Sequence, residues 1–307
     1  MVTVLLAAFC GEKYIARQLD SLLCQSVMPE KIVIRDDGST DATVQIIESY
    51  RAMYPGIIEI CPTETPTGSA AGNFFKMLEI YRDDYIMLCD QDDIWMPEKI
   101  EKTLNFMRQK ESEYGNIPLL VHTDLVVADS EGHRVAESFV KYQKLTPNNN
   151  AINNYLMQNN VTGCTCMLNR ALLDMLYAFP AVCTMHDWWL ALVASAFGRV
   201  EFLNTATIYY CQHKNNTVGA KKAGSLKYIF EKLKNIKNQK RIYTDIITNA
   251  EQFLSIYANA LPRQQAKYVI AVAHLRGASK AEKIKTIKKY NLQKNTPVRT
   301  AVQYIFI

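Results

Sequence analysis

The sequence predicts an α/β fold, with a mainly parallel central sheet flanked by helices and a helical extension at the C-terminal end. Three observations predict it. Through the first third of the chain, apolar runs of strand length alternate with helix-like patterns, the signature of βαβ units. Acidic residues gather where the second and fourth of those strands finish, the edge at which open α/β sheets bind ligands. Beyond residue 220 the pattern becomes helical and the local charge changes sign.

Taken in order, Val2 to Ala8 reads as the first strand, and Tyr14, Ile15, Leu19, Leu22 and Leu23 recur at helical spacing after it. Lys31 to Arg35 is a second short strand, running into Asp36-Asp37-Gly38-Ser39-Thr40-Asp41. A helix follows from about Ala42 to Met53. Ile57 to Cys61 reads as a third strand and Asn73 to Tyr81 as a helix. Tyr85 to Cys89 is a fourth strand that leads directly into Asp90-Gln91-Asp92-Asp93, and Pro97 suits the first turn of the next helix. The alternation then fades. Leu119 to Ala128 and Val161 to Leu168 read as strands, Arg170 to Tyr177 and Asp187 to Phe197 as helices, and Glu201 to Leu203 with Thr207 to Tyr210 as short strands. From Ser225 onward the pattern is helical and lysine-rich.

Composition narrows the classes. At 307 residues, with 49% hydrophobic and 10% aromatic content, the chain can bury a sizeable core, which argues against disorder and suits one large domain plus an appendage. No stretch reaches the roughly 18 consecutive apolar residues that a membrane-spanning helix needs, so a water-soluble cytoplasmic body is expected. Val2 to Phe9 is apolar but has no basic leader or small-residue cleavage site, and reads as a buried strand. The eight cysteines lack CxxC or disulfide-framework spacing, which favours reduced thiols. Cys164 and Cys166 have no second Cys/His pair at zinc-ligand spacing, so they read as small buried side chains.

The net charge of +5 hides a division: residues 1–220 hold 17 Lys+Arg against 26 Asp+Glu, whereas residues 221–307 hold 18 against 4. The two parts therefore face different partners. In the basic part, Lys227, Lys232, Lys234, Lys237, Lys240 and Arg241 are interleaved with Leu226, Tyr228, Ile229, Phe230, Leu233 and Ile236. Such a mixture suits an amphipathic helix that docks on an anionic membrane surface, and the alternative is a helical subdomain packed on the first part. The closing apolar run Ala301 to Ile307 suits insertion at the interface or pairing in a homodimer. With no aromatic-basic RNA motif or zinc finger present, nucleic acid is not an expected partner.

The strand ends carry the chemistry. Three carboxylates within Asp90-Gln91-Asp92-Asp93 repel one another, and with no Lys or Arg between them such a group suits a hard cation. Residues i and i+2 of an extended segment project the same way, so Asp90 and Asp92 can face one ion, which would in turn grip a diphosphate. The alternative for an isolated Asp-x-Asp is a solvated turn or helix cap. Here Asp36 and Asp37 stand at a neighbouring strand end, where a carboxylate can accept from a base N–H or a ribose hydroxyl, and Gly68 and Gly72 allow close backbone approach.

The set Ala7-Phe9-Gly11-Glu12-Lys13-Tyr14-Ile15, Arg35-Asp36-Asp37-Gly38-Ser39-Thr40-Asp41, Asn73-Phe74 and Asp90-Gln91-Asp92-Asp93-Ile94-Trp95 resembles glycosyltransferase family 2, whose members have the Rossmann-like GT-A fold. The resemblance continues through Val161-Thr162-Gly163-Cys164, Met185-His186-Asp187-Trp188-Trp189 and Tyr209-Tyr210-Cys211-Gln212-His213. It is nearest to bacterial rhamnosyltransferases of cell-wall or capsular polysaccharide synthesis, and covers about residues 1–220.

The resemblance implies a catalytic domain over 1–220, with a nucleotide-binding half (1–95) and an acceptor-binding half (96–220), followed by the basic helical region 221–307. It implies an inverting transferase that uses Mg²⁺ or Mn²⁺ and a nucleotide-diphosphate sugar. dTDP-L-rhamnose is the first choice and a UDP-sugar the second. The acceptor would be a saccharide or lipid-linked saccharide at the inner face of the cell membrane.

Residue by residue, Asp37 looks like the base-recognising carboxylate with Asp36 beside it, Phe9 like a ring lining the nucleobase pocket, and Asn73 and Asp90 like further nucleotide contacts. Asp92 looks like the principal metal ligand, helped by Asp90 and His213. Asp93, Trp95, His186 and Trp188 stand where donor or acceptor sugar would lie, and Asp187 like the catalytic base. Two departures are visible. Ala7-Ala8-Phe9-Cys10 replaces the common Thr-Tyr-Asn, losing a hydroxyl and an amide, and His186-Asp187 replaces the common Glu-Asp pair. A phosphatase with an aspartate nucleophile in its first strand is excluded, since that strand holds no acid. A sugar-nucleotide binding module without turnover is the remaining alternative.

Overall fold

A computed structural model describes residues 1–148, 151–213 and 236–307. Nine strands form one sheet: β1 (Val2–Ala8), β2 (Lys31–Asp36), β3 (Ile58–Ile60), β4 (Tyr85–Asp90), β5 (Ile94–Trp95), β6 (Leu119–Asp129), β7 (Arg134–Ala136), β8 (Cys166–Asn169) and β9 (Arg199–Gln212). Their spatial order is β3-β2-β1-β4-β8-β6-β9-β5, with β7 paired to β6. β3, β2, β1 and β4 run parallel, as do β6 and β9, whereas β8, β5 and β7 pair antiparallel with their neighbours. The parallel half is the one predicted from βαβ alternation. In the second half no such alternation exists to read.

Helices α1 (Ile15–Leu23), α2 (Thr43–Met53), α3 (Ala70–Ile80), α4 (Lys99–Tyr114), α5 (Phe139–Gln143), α6 (Ile152–Met157), α7 (Arg170–Met175) and α8 (His186–Phe197) flank the sheet. Strand alternation sorts the core between its two faces. Leu5 joins the cluster holding Phe74 and Trp189, while Val4 and Leu6 join the one holding Ile15, Leu19 and Leu22. Being covered on both sides is why β1 and β4 read as continuous apolar runs. Three elements differ from expectation. Pro97 lies ahead of α4, which begins at Lys99. Val161 to Leu168 holds a 3₁₀ turn at Gly163–Thr165 before the short β8. The two expected strands Glu201 to Leu203 and Thr207 to Tyr210 are parts of one long β9, whose register against β6 shifts at Asp124.

The remaining described helices are α9 (Ile236–Tyr257), α10 (Arg263–Ala273), α11 (Lys280–Lys289) and α12 (Pro297–Phe306). Among the described residues they pack on the rest of the molecule. Trp189 of α8 lies 5.4 Å from Phe253 of α9, ring centroid to centroid, and Phe253 lies 4.8 Å from Tyr257. On α9, Lys237, Lys240 and Arg241 are exposed while Gln239 and Tyr243 are buried, which is the pattern of a helix packed on a body. Within the terminal run, Val302, Phe306 and Ile307 are buried in the core cluster of Trp189 and Phe253, while Ile305 is exposed. The basic stretch Leu226 to Leu233, and the expected boundary at residue 220, lie outside the described residues. No described helix is long and apolar enough to cross a membrane.

Candidate active site

The carboxyl ends of β1, β2 and β4 open into a cleft of about 1080 Å³, whose other walls come from the N-terminal turn of α8, the segment around Gln158 to Gly163, and residues of α9 and α12. The topology accounts for what meets there. β5 pairs antiparallel with β9, Ile94 opposite Tyr209, so the end of β9 is carried to the turn that follows β4. His213 Nε2 thereby reaches 2.7 Å from Asp92 Oδ2, and its ring stacks on Tyr14 with centroids 4.4 Å apart. Asp90, Asp92 and His213 all line the cleft.

Asp90 is held in an unfavourable state for an anion. Burial, and after it the charges of Asp92 and Asp187, push its carboxyl up to about 7. A divalent cation would relieve that repulsion, and two carboxylates with an imidazole are a donor set suited to Mg²⁺ or Mn²⁺. The residues present therefore fit the ion that the sequence suggested. Gln91, between the two acids, fixes the turn: its Oε1 accepts from Phe9 N–H at 2.9 Å and its Nε2 donates to Phe9 O at 2.8 Å. A Cβ at Gly11 would run into that amide, which accounts for the glycine. Sequence reading passed over Gln91 because its chemistry is neutral.

Two expected sugar contacts are corrected. Asp93 is fully buried and does not line the cleft: the chain turns at Gln91–Asp92, and Asp93 leads from that turn into β5. It lies with Asp90 and Cys164, their ligand atoms within 4.8 Å of one another. Burial, with Asp92 and Asp90 nearby, pushes its carboxyl well above the usual range. Trp95 is 2% exposed and also lies off the cleft, with the buried ammonium of Lys99 4.5 Å from its ring centroid. As a β5 residue it packs against α4 and the sheet, and has no face left for a sugar.

At the β2 end, Asp37 lines the cleft and is 5% exposed. Burial alone would raise its carboxyl, but it is outweighed by donors from Thr67 N (2.7 Å), Arg35 (2.8 Å), Thr67 Oγ1 and Gly68 N (2.8 Å), which hold it below the ordinary value. Asp37 therefore organises the Thr67–Gly68 loop as well as facing the cleft. Asn73 lines the cleft while its Oδ1 accepts from Arg35 at 2.9 Å and its amide donates to Arg35 O at 3.1 Å. Arg35 thus ties both residues together, a role the sequence did not reveal. Asp36 is a correction: it does not line the cleft, since Oδ2 accepts from Gly38 N (3.0 Å) and Ser39 N (2.8 Å), closing its own turn. Phe9 lines the cleft and is 56% exposed, an open ring face.

The third group sits at the start of α8. Asp187 lies in the first helical turn, after the N-cap Met185, so it is not the cap. Its Oδ1 accepts from Trp188 N at 2.6 Å and its Oδ2 from Gly163 N at 3.1 Å. Burial nonetheless dominates and lifts the carboxyl to about 6. His186 lines the cleft against Phe74, ring centroids 4.1 Å apart, and burial lowers it to about 3, which keeps the imidazole neutral. Its two ring nitrogens have no partner among the described residues. Trp188 lines the cleft, its indole N–H donating to Tyr155 O at 2.5 Å.

The comparisons with known proteins agree with this geometry. A model of glycosyl transferase family 2 matches residues 3–173. The chain is 28% identical over 235 residues to the dTDP-rhamnosyl transferase RfbG of Shigella flexneri, across 73% of this chain and 76% of the relative. It is 31% identical over 135 residues to the putative glycosyltransferase EpsE of Bacillus subtilis, covering 44% and 46%. Among solved structures, S. aureus TarS 1-349 in complex with UDP-GlcNAc superposes with TM-score 0.58 at 17% identity, over 99% of this chain and 86% of that one. Mannosyltransferase PcManGT from Pyrobaculum calidifontis, in complex with GDP-Man and Mn²⁺, gives TM-score 0.51 at 14% identity, over 99% and 83%. These structural likenesses establish the GT-A fold.

Proposed function

Since the chain belongs to glycosyltransferase family 2, we propose that it is a metal-dependent, inverting transferase moving L-rhamnose from dTDP-L-rhamnose onto a saccharide or lipid-linked saccharide. The observation that carries the chemistry is the placement of Asp187 and the Asp90–Asp92–His213 group in one cleft, close enough for the Asp187 charge to raise Asp90. Phe9, Asp37 and the Gly68 loop form the nucleotide end, with Asn73 holding Arg35 in place. A divalent ion bound by Asp92, with Asp90 and His213, would supply positive charge for the diphosphate leaving group.

Asp187 serves as the base. Its lifted carboxyl is ionised at neutral pH yet basic enough to take the proton of an acceptor hydroxyl as that oxygen attacks the anomeric carbon. The neutral His186, donor at one nitrogen and acceptor at the other, suits a sugar hydroxyl, and Trp188 offers an apolar face. The choice of rhamnose follows the relative from Shigella flexneri, and a UDP-sugar is the second choice. The enzyme would work at the inner face of the cell membrane, on acceptors for surface polysaccharide. Screening nucleotide sugars for Mn²⁺-dependent release of nucleoside diphosphate tests the reading. Release should be greatest with dTDP-L-rhamnose. Release from a UDP-sugar alone would overturn the donor, and binding without release from any donor would leave a binding module.

A further inference from the structure

We infer that Tyr14 is a positioning residue for the ion site: its ring holds the His213 imidazole edge-on to Asp92, so that the turn between β1 and α1 supports the donor set. This rests on the metal-dependent reading above. Both rings line the cleft. They are stacked, with centroids 4.4 Å apart and planes 8° apart, while His213 Nε2 meets Asp92 Oδ2 at 2.7 Å. An imidazole engages a carboxylate or an ion through nitrogens whose bonding directions lie in the ring plane. A neighbour stacked on the face therefore fixes that plane without competing for the nitrogens.

Strand pairing does not orient this histidine. The pairing of β9 with β6 ends at Gln212, opposite Asp129, one residue short of His213. Tyr14, by contrast, stands on a braced turn. Its N–H donates to Gly11 O at 2.9 Å, Gly11 N–H donates to Thr43 Oγ1 at 2.8 Å, and the next residue, Ile15, is fully buried. The amide of Gln91, clasping the main chain of Phe9, ties the other end of the same turn to the residues between Asp90 and Asp92. One turn thus supports both the acidic half and the imidazole half of the site, and loosening Tyr14 should free the imidazole while leaving the acids in place.

The test follows Mn²⁺ binding to the whole protein by calorimetry, and dTDP binding in Mn²⁺ and in excess EDTA. Tyr14→Leu should weaken Mn²⁺ roughly tenfold, where the ranges for a lost ring stack and for a lost outer-shell partner of a metal-binding histidine meet. It should weaken dTDP in Mn²⁺ but not in EDTA. Tyr14→Phe keeps the ring and should retain both affinities. In a His213→Ala background, Tyr14→Leu should cost nothing further. A spectroscopic sign needs no change at Tyr14. In the Mg²⁺-loaded protein, the ring-carbon protons of His213, assigned by their loss in His213→Ala, should be shifted upfield by the tyrosine ring current. Unshifted protons, unchanged Mn²⁺ affinity in folded Tyr14→Leu, or an equal loss in the His213→Ala background would each overturn the inference. Equal loss of dTDP affinity in EDTA would make Tyr14 a nucleotide contact and overturn it as well. Absence of Mn²⁺ binding by the unmodified protein, with and without dTDP, would instead overturn the metal reading on which it rests.

Discussion

Asp187→Asn is expected to lower transfer by a factor on the order of 10² to 10⁴, the range typical for removing a general base, while nucleoside diphosphate affinity stays close to that of the unmodified enzyme. The reason is geometric. Asp187 stands at the start of α8, across from the nucleotide end, and is proposed to meet the acceptor. Both of its oxygens accept backbone N–H groups, so the Asn amide puts an NH₂ against one of them and costs about 1–3 kcal/mol of stability. Melting must therefore be followed beside activity. The pH profile gives an independent sign. A base lifted to about 6 by burial is ionised above that value, so kcat/KM should fall about tenfold per unit as pH drops below about 6. Because the folded value lies above the ordinary one of 3.8, the same group favours folding only when protonated, and its contribution is lost as pH rises through about 6. The site accepts that loss to keep a base tuned to neutral pH. Equal loss of nucleotide binding in the variant, or an acid limb unchanged by it, would reduce Asp187 to a structural residue.

Asp92→Asn should be nearly as damaging for a different reason. It preserves shape and leaves an oxygen to accept from His213, but removes a charged ligand from the proposed ion. Metal-ion stabilisation of a developing anion is worth several kcal/mol, and about 1.4 kcal/mol is a factor of ten in rate, so a loss on the order of 10² to 10³ is expected. Unlike the Asp187 variant, this one should also lose the Mn²⁺ dependence of nucleoside diphosphate binding. An Asp92→Asn enzyme with full activity in excess EDTA would end the metal account.

How far the sequence could be read follows from which signals are local. The four parallel strands and their helices were legible because β1, β2 and β4 are apolar runs closed by turn residues, and the acids stand at their ends. Asp37, Asp90, Asp92, Asp187, His186 and His213 meet in one cleft as the motifs implied. Asp93 and Trp95 do not, because the chain turns at Gln91–Asp92 and runs into β5, where both side chains are buried, and the motif alone does not say which acid turns inward. Asp37 was read as the base-recognising carboxylate with Asp36 beside it, and the turn at Gly38–Ser39, which Asp36 closes, separates their roles. Arg35 was passed over since its partner Asn73 is distant in sequence, and Gln91 because its amide carries no charge. The long β9 was split in reading because its register shift against β6 breaks the alternation. The basic tail was read from charge as a surface for an anionic membrane, with packing on the first part as the alternative, and the burial of Phe253, Val302 and Phe306 is a tertiary fact that no local pattern carries.

The central claim, that Asp187 and the Asp92 group act on opposite sides of one anomeric carbon, is tested most directly by proton NMR of the first product formed from dTDP-L-rhamnose. Direct attack by an acceptor activated at Asp187 predicts a linkage of anomeric configuration opposite to the donor's, already in the initial product. A product that retains the donor's configuration would require a covalent sugar–enzyme intermediate and would contradict the account.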